Sequence, residues 1–232
     1  MSEFKYHRPS GFPPIIKNLI IINVLVWVAQ LIYDKEYNLT SKLALWPVKF
    51  PQFEPYQIAT HMFAHGDVLH IFFNMFSLYL FGRMLENLWG PKRFLFFYLA
   101  CGIGAAALHM LIQYIRFDQI IEQTNAAAMA GDEQEVVRLL RQIGPALGAS
   151  GAIMGVVIAF AYLFPNTEFT GMFLPITIKA KWLALIWVAG DLFGGISNTS
   201  EDNIAHFAHL GGAITGFIIV YIWNKTNRKT LY

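Results

Sequence analysis

The chain has 232 residues, of which 56% are hydrophobic, 16% aromatic and only 14% charged, where a soluble domain of this length carries about 25% charged residues. That composition, with a mean hydropathy of +0.44, argues against an ordinary cytosolic enzyme and a disordered chain, and a net charge of +2 offers no basic field for nucleic acid. One cysteine, Cys101, allows neither an internal disulfide nor a CxxC metal or redox pair.

Charges are clustered, and between the clusters lie six apolar stretches, near residues 15–33, 68–88, 93–115, 149–164, 181–197 and 204–224. A helix crossing the hydrocarbon needs about 20 residues at 1.5 Å each. The stretches therefore read as six transmembrane helices of an all-α membrane protein, forming one domain over residues 1–232. A charged segment of about 17 residues without an A-x-A cleavage signal precedes the first span, so that span reads as a retained anchor. The loop over 34–67 holds Pro47, Pro51, Pro55 and many aromatics and reads as an interfacial anchor. At the far end of the second span, Glu86 within Gly82–Gly90 reads as a structural carboxylate bound to backbone donors or to Arg83.

The loop over 116–145 contains Val136, Val137, Leu139, Leu140 and Ile143 at helical spacing, which predicts a short surface helix over Glu133–Ile143. With both termini placed on the cytoplasmic side, the inner segments carry 11 of the 17 Lys and Arg residues and the outer loops six, as the positive-inside rule requires. The short core and tails point to a prokaryotic plasma membrane.

The fourth span opens at Gly148-Ala149-Ser150-Gly151 and meets Pro165 after about 22 Å of helix, roughly 8 Å short of the hydrocarbon thickness. Ser150 therefore sits below the outer surface at a helix start, whose free N–H groups favour negative charge. His209 in the sixth span lies 16 residues before Lys225, at nearly the same depth. Gly212 and Gly216 form a small-xxx-small face, and Gly151 and Gly155 offer its match. The two helices can then approach closely enough for the His209 ring to reach the Ser150 hydroxyl, the geometry of covalent catalysis. Taken singly, each residue reads sooner as a core hydrogen-bonding group.

His70 and Asn74 are spaced i, i+4 in the second span and fit either oxyanion donors or an interhelical clamp. His61 and His65 share that spacing, but no HExxH motif and no carboxylate at ligand spacing accompany them, so no metal site is expected. His65 reads as a packing or water-organising residue. Asp191 in the fifth span could orient a histidine, although a structural hydrogen bond is the preferred role.

The combination resembles the rhomboid family of intramembrane serine proteases. The resemblance runs over about Asn18–Asn224 and rests on four motifs in order. They are H-xxx-N (His70, Asn74), G-xxx-E-xxx-G (Gly82, Glu86, Gly90), G-x-S-G (Gly148–Gly151) and A-H-xx-G-xxx-G (Ala208, His209, Gly212, Gly216). It implies a six-helix bundle with a short central helix carrying the serine. It also implies a Ser150–His209 dyad without an obligatory acid, cleaving membrane-anchored proteins with a single transmembrane segment and needing no cofactor or metal. His70, Asn74 and the Ser150 N–H would form the oxyanion hole, and Phe73 and Trp187 a lateral substrate gate. Two features depart from the family: a Trp-Arg pair is absent from the first outer loop, and Met154 stands where an aromatic commonly stacks on the histidine. The rival readings are a catalytically silent rhomboid-like binding or quality-control factor and a small-solute transporter. The transporter would need inverted repeats, which the sequence lacks.

Overall fold

The computed structural model describes residues 12–170, 177–196 and 203–226. Both chain ends, with Lys5, Arg8, Arg228 and Lys229 of the orientation count, lie outside the described residues. Helix α1 (Pro14–Tyr37) opens on a proline at its first turn and closes at Asn38 in the left-handed region, φ 50°, the standard uses of these residues at helix ends. Two short helices follow, α2 (Leu39–Leu43) and α3 (Gln57–Thr60), the second running into a 3-10 turn over His61–Phe63.

Helix α4 (Val68–Trp89) is capped by Asp67, whose carboxylate accepts the His70 N–H at 2.8 Å. It stops at Gly90, φ +79°, and Pro91 starts α5 (Pro91–Met129) at once. At 39 residues, α5 is about 58 Å long, nearly twice the hydrocarbon thickness. It continues 14 residues beyond the expected end at 115, so the region 116–129 is helix rather than loop. No glycine or proline interrupts the chain between Ala105 and Ala130, and polarity alone does not end a helix.

The amphipathic α6 (Glu133–Arg141) folds back on this extension. Gln113 and Arg116 hold it there through Gln142, at 3.0 and 2.9 Å. Helix α7 (Ser150–Leu163) has 14 residues, about 21 Å. The connection from α7 to α8 (Ala180–Ile196) contains a β-hairpin that the sequence reading did not foresee. Strands β1 (Glu168–Thr170) and β2 (Thr177–Lys179) pair antiparallel with Phe169 opposite Ile178, and Phe169 packs 5.3 Å from Phe81. Helix α9 is Asn203–Thr226.

Helices α1, α4, α5 and α9 are long and apolar enough to cross a membrane, while α7 and α8, at 14 and 17 residues, are shorter. The chain is a multi-pass membrane protein. Helix α7 is buried on nearly every side, packed against α4, α5 and α9. Helix α1 instead turns Leu25, Leu31 and Ile32 outward, each more than 60% exposed, as a lipid-facing surface requires.

Candidate functional site

The segment entering α7 is fixed by its backbone. Leu45 and Ala146 exchange both amide hydrogen bonds, at 2.8 and 2.9 Å, and the Gly148 N–H donates to the His61 carbonyl at 2.8 Å. Gly148 has φ +119°, and a Cβ there would lie 2.7 Å from His70 Nε2 and 3.7 Å from Ser150 Oγ. Only glycine lets the chain turn at that point beneath the imidazole. Ser150 is the first residue of α7, and the Ile153 N–H is the first to bond back, to Ala149. The N–H groups of Ser150, Gly151 and Ala152 have no intrahelical partner, as at any helix start.

Helices α7 and α9 meet along the glycine faces. A Cβ at Gly212 would overlap the Gly151 carbonyl, and one at Gly216 would lie 2.6 Å from Gly155 Cα. Such close backbone approach brings His209 Nε2 to 2.8 Å from Ser150 Oγ. The other ring nitrogen of His209, Nδ1, is 3.0 Å from Asp191 Oδ1 on α8, and His206 Nδ1 is 2.8 Å from the same oxygen.

A cavity of about 740 Å³ opens over this pair and is also lined by His70, Phe73, Asn74, Gly151, Met154 and Trp187. His70, Asn74, Phe73, Trp187 and Gly151 thus share one space with Ser150 and His209, as do His61 and Met154. Gly155, Gly212 and Gly216 belong to the helix seam. The Gly66 N–H donates to His70 Nδ1 at 3.4 Å, which leaves the proton of the neutral ring on Nε2, the atom beside Gly148. The Asn74 amide donates to the His70 carbonyl at 3.0 Å and keeps a second N–H. Phe73 contacts Phe72, ring centres 5.4 Å apart. It makes no such ring contact with Trp187, and the main packing partners of α4 are α1, α5 and α7.

His65 lies behind His70, ring centres 5.1 Å apart, and both its ring nitrogens are buried without a partner. Burial, aided by the neighbouring His70, holds its pKa down to about 4; burial also lowers that of His61. Its backbone is gripped by Gln30 of α1, whose amide accepts the His65 N–H at 3.0 Å and donates to the His65 carbonyl at 3.1 Å. Gln57 does similar work in the first loop, bonding the backbone of Lys42, Trp46, Gln52 and Glu54. Sequence reasoning passed over both glutamines. The available signal for Gln30 was a lone amide in an apolar run, which has to find a partner; Gln57, among Gln52, Glu54, Thr60 and His61, offered no such contrast.

Glu86 is distant from the cavity and takes the structural role expected of it. Its two oxygens accept the N–H groups of Ile15 and Ile16 at 2.9 Å each. Arg83, the alternative partner, bonds Tyr79 instead.

A family model described as Rhomboid domain matches residues 52–226. Relatives include RHOMBOID-like protein 12, mitochondrial, of Arabidopsis thaliana, 25% identical over 93% of this chain and 64% of its own length. Presenilin-associated rhomboid-like protein, mitochondrial, of Homo sapiens is 26% identical over 91% of this chain and 47% of its own. Rhomboid protease AarA of Providencia stuartii is 24% identical over 87% and 69%. The chain spans less than two thirds of the first two relatives.

Proposed function

The chain belongs to the rhomboid family, and from that premise we propose that it is an intramembrane serine endopeptidase acting on proteins with a single transmembrane segment. The observation that carries the reading is the 2.8 Å approach of His209 Nε2 to Ser150 Oγ inside the cavity. That approach puts the base within hydrogen-bond reach of the proton it must remove as the attack begins. His209 Nε2 takes the hydroxyl proton as Ser150 Oγ attacks the substrate carbonyl. The oxyanion meets the Ser150 N–H at the start of α7, the His70 Nε2–H and the free Asn74 N–H. His209 then delivers the proton to the departing amine nitrogen, and water, activated by the same imidazole, hydrolyses the acyl-enzyme.

An extended substrate strand cannot stay unpaired in lipid, so the substrate helix unravels within the cavity. The weakly packed side between α4 and α8, with Phe73 and Trp187, supplies the entrance. The relatives named mitochondrial favour an organellar membrane and leave the prokaryotic plasma membrane expected from the short core and tails without support.

The test uses the purified protein in micelles with a single-span substrate carrying helix-weakening residues, and a fluorophosphonate probe. Ser150 is labelled by the probe, and Ser150→Ala and His209→Ala each reduce cleavage by about 10⁴-fold or more. Undiminished cleavage by either variant removes that residue from the dyad. A wild-type chain that binds the substrate yet is neither labelled nor active is a silent binding factor.

A further inference from the structure

Asp191 is a carboxylate in the middle of an apolar helix, 5% exposed. Its Oδ1 lies 3.0 Å from His209 Nδ1 and 2.8 Å from His206 Nδ1, while its Oδ2 is buried with no hydrogen-bond partner. The two histidines are three residues apart on α9 and so share a face. A carboxylate only accepts, so both rings must present Nδ1–H to it. For His209 this fixes the tautomer: the lone pair is on Nε2, the atom 2.8 Å from the Ser150 hydroxyl.

Room for the second ring comes from Gly194, one turn after Asp191, where a Cβ would overlap the imidazole of His206. Met154, although it lines the same cavity, has no ring to stack on His209. A purely mechanical clamp between α8 and α9 would need one histidine. It would not need the one that touches the serine.

We propose that Asp191 is a positioning residue that holds His209 in its reactive tautomer and orientation, and that His206 holds Asp191 in turn. The line Asp191–His206 then stands behind the reacting Ser150–His209 pair. The inference rests on the serine-protease reading above. In the attack step one proton passes from Ser150 Oγ to His209 Nε2, and later from Nε2 to the leaving nitrogen. Asp191 takes up no proton. Its buried charge, with Oδ2 unpartnered, faces the positive ring that forms transiently.

The experiment compares wild type, Asp191→Asn, Asp191→Ala, Asp191→Glu and His206→Ala, all full-length in micelles. Both neutral variants lower kcat by between about 10² and 10⁴-fold, with KM within about two-fold. Asp191→Glu, which keeps the carboxylate, recovers part of the loss, and His206→Ala costs about 10-fold. A far-downfield imidazole proton resonance, present in wild type, in Ser150→Ala and in His206→Ala and so belonging to His209, disappears in Asp191→Asn.

A kcat within two-fold of wild type in Asp191→Asn overturns the inference, as does a loss that Asp191→Glu does not relieve. Failure of the protease reading is seen separately, as absent labelling of Ser150 in wild type. In that event the resonance still decides whether Asp191 holds His209: its persistence in Asp191→Asn overturns the inference, and its loss upholds the positioning.

Discussion

Among the described residues two carboxylates are buried, Glu86 at 2% and Asp191 at 5% exposure, and their surroundings differ in kind. Each Glu86 oxygen takes one backbone N–H at the start of α1, donors that cannot titrate, turn away or change partner. Asp191 loads two imidazoles onto one oxygen and leaves the other bare. A buried charge is tolerated when its hydrogen bonds are filled, and Glu86 meets that condition with fixed groups. Asp191 meets it by half, with side chains that can carry a proton. The first arrangement holds helices together; the second leaves interaction energy to be drawn on when charge develops beside it.

Four substitutions break or sharpen that contrast. The largest effect belongs to the seam that brings His209 to Ser150. Gly212→Val drives a side chain into the Gly151 carbonyl, and we expect more than about 3 kcal/mol of lost stability together with loss of cleavage. Retained activity in a thermally stable variant would show that the seam does not set the site. Next is Glu86→Ala, which leaves the Ile15 and Ile16 N–H groups unpaired and lowers stability by about 2–3 kcal/mol. Its folded fraction should turn over substrate within two-fold of wild type. A selective fall in kcat there would erase the distinction between the two carboxylates.

Third, His65 is buried as a neutral ring with its pKa held down to about 4, while in the unfolded chain it protonates near 6.5. The unfolded state therefore binds more protons between those values, and stability falls as pH drops from 6.5 towards 4, by up to about 1.4 kcal/mol per pH unit. Thermal unfolding across that window should show a shallower slope in His65→Phe. An unchanged slope would assign the effect to other groups, His61 first. The smallest effect is that of Asp118→Ala. Its bond to Lys49 at 2.7 Å is exposed, with 81% of the Asp118 side chain in solvent, so unfolding should shift by less than about 0.5 kcal/mol.

The parts of this arrangement that run along one chain were legible in the sequence. The depth of Ser150 followed from the length of α7, and that of His209 from its distance to Lys225. The paired glycines predicted which faces would touch. What depends on rotation about a helix axis was not legible, and Asp191 illustrates it. An acid in the fifth span can face a histidine or a neighbouring backbone with the same sequence around it, and only the packing of α8 on α9 shows that its partners are His206 and His209. The extension of α5 was missed because hydropathy falls over 116–129 while the helix runs on to Met129, and polarity alone does not end a helix. The β-hairpin was missed because three residues per strand leave no period to read. Gln30, an amide in an apolar run, announces a need for partners without naming them, and Gln57 does not stand out from the polar residues around it.

Helix α1 has little area in contact with the rest of the bundle, yet it is bolted at both ends: Glu86 receives its first amides and Gln30 clasps the His65 backbone. Lipid tails give no apolar push toward a neighbouring helix, so these few polar fastenings bear most of the load of docking. Slow deuterium uptake at the Ile15 and Ile16 amides is thus a gauge of whether this outer strut is seated. A detergent that competes for such groups would be expected to loosen it before it disturbs the glycine-lined centre.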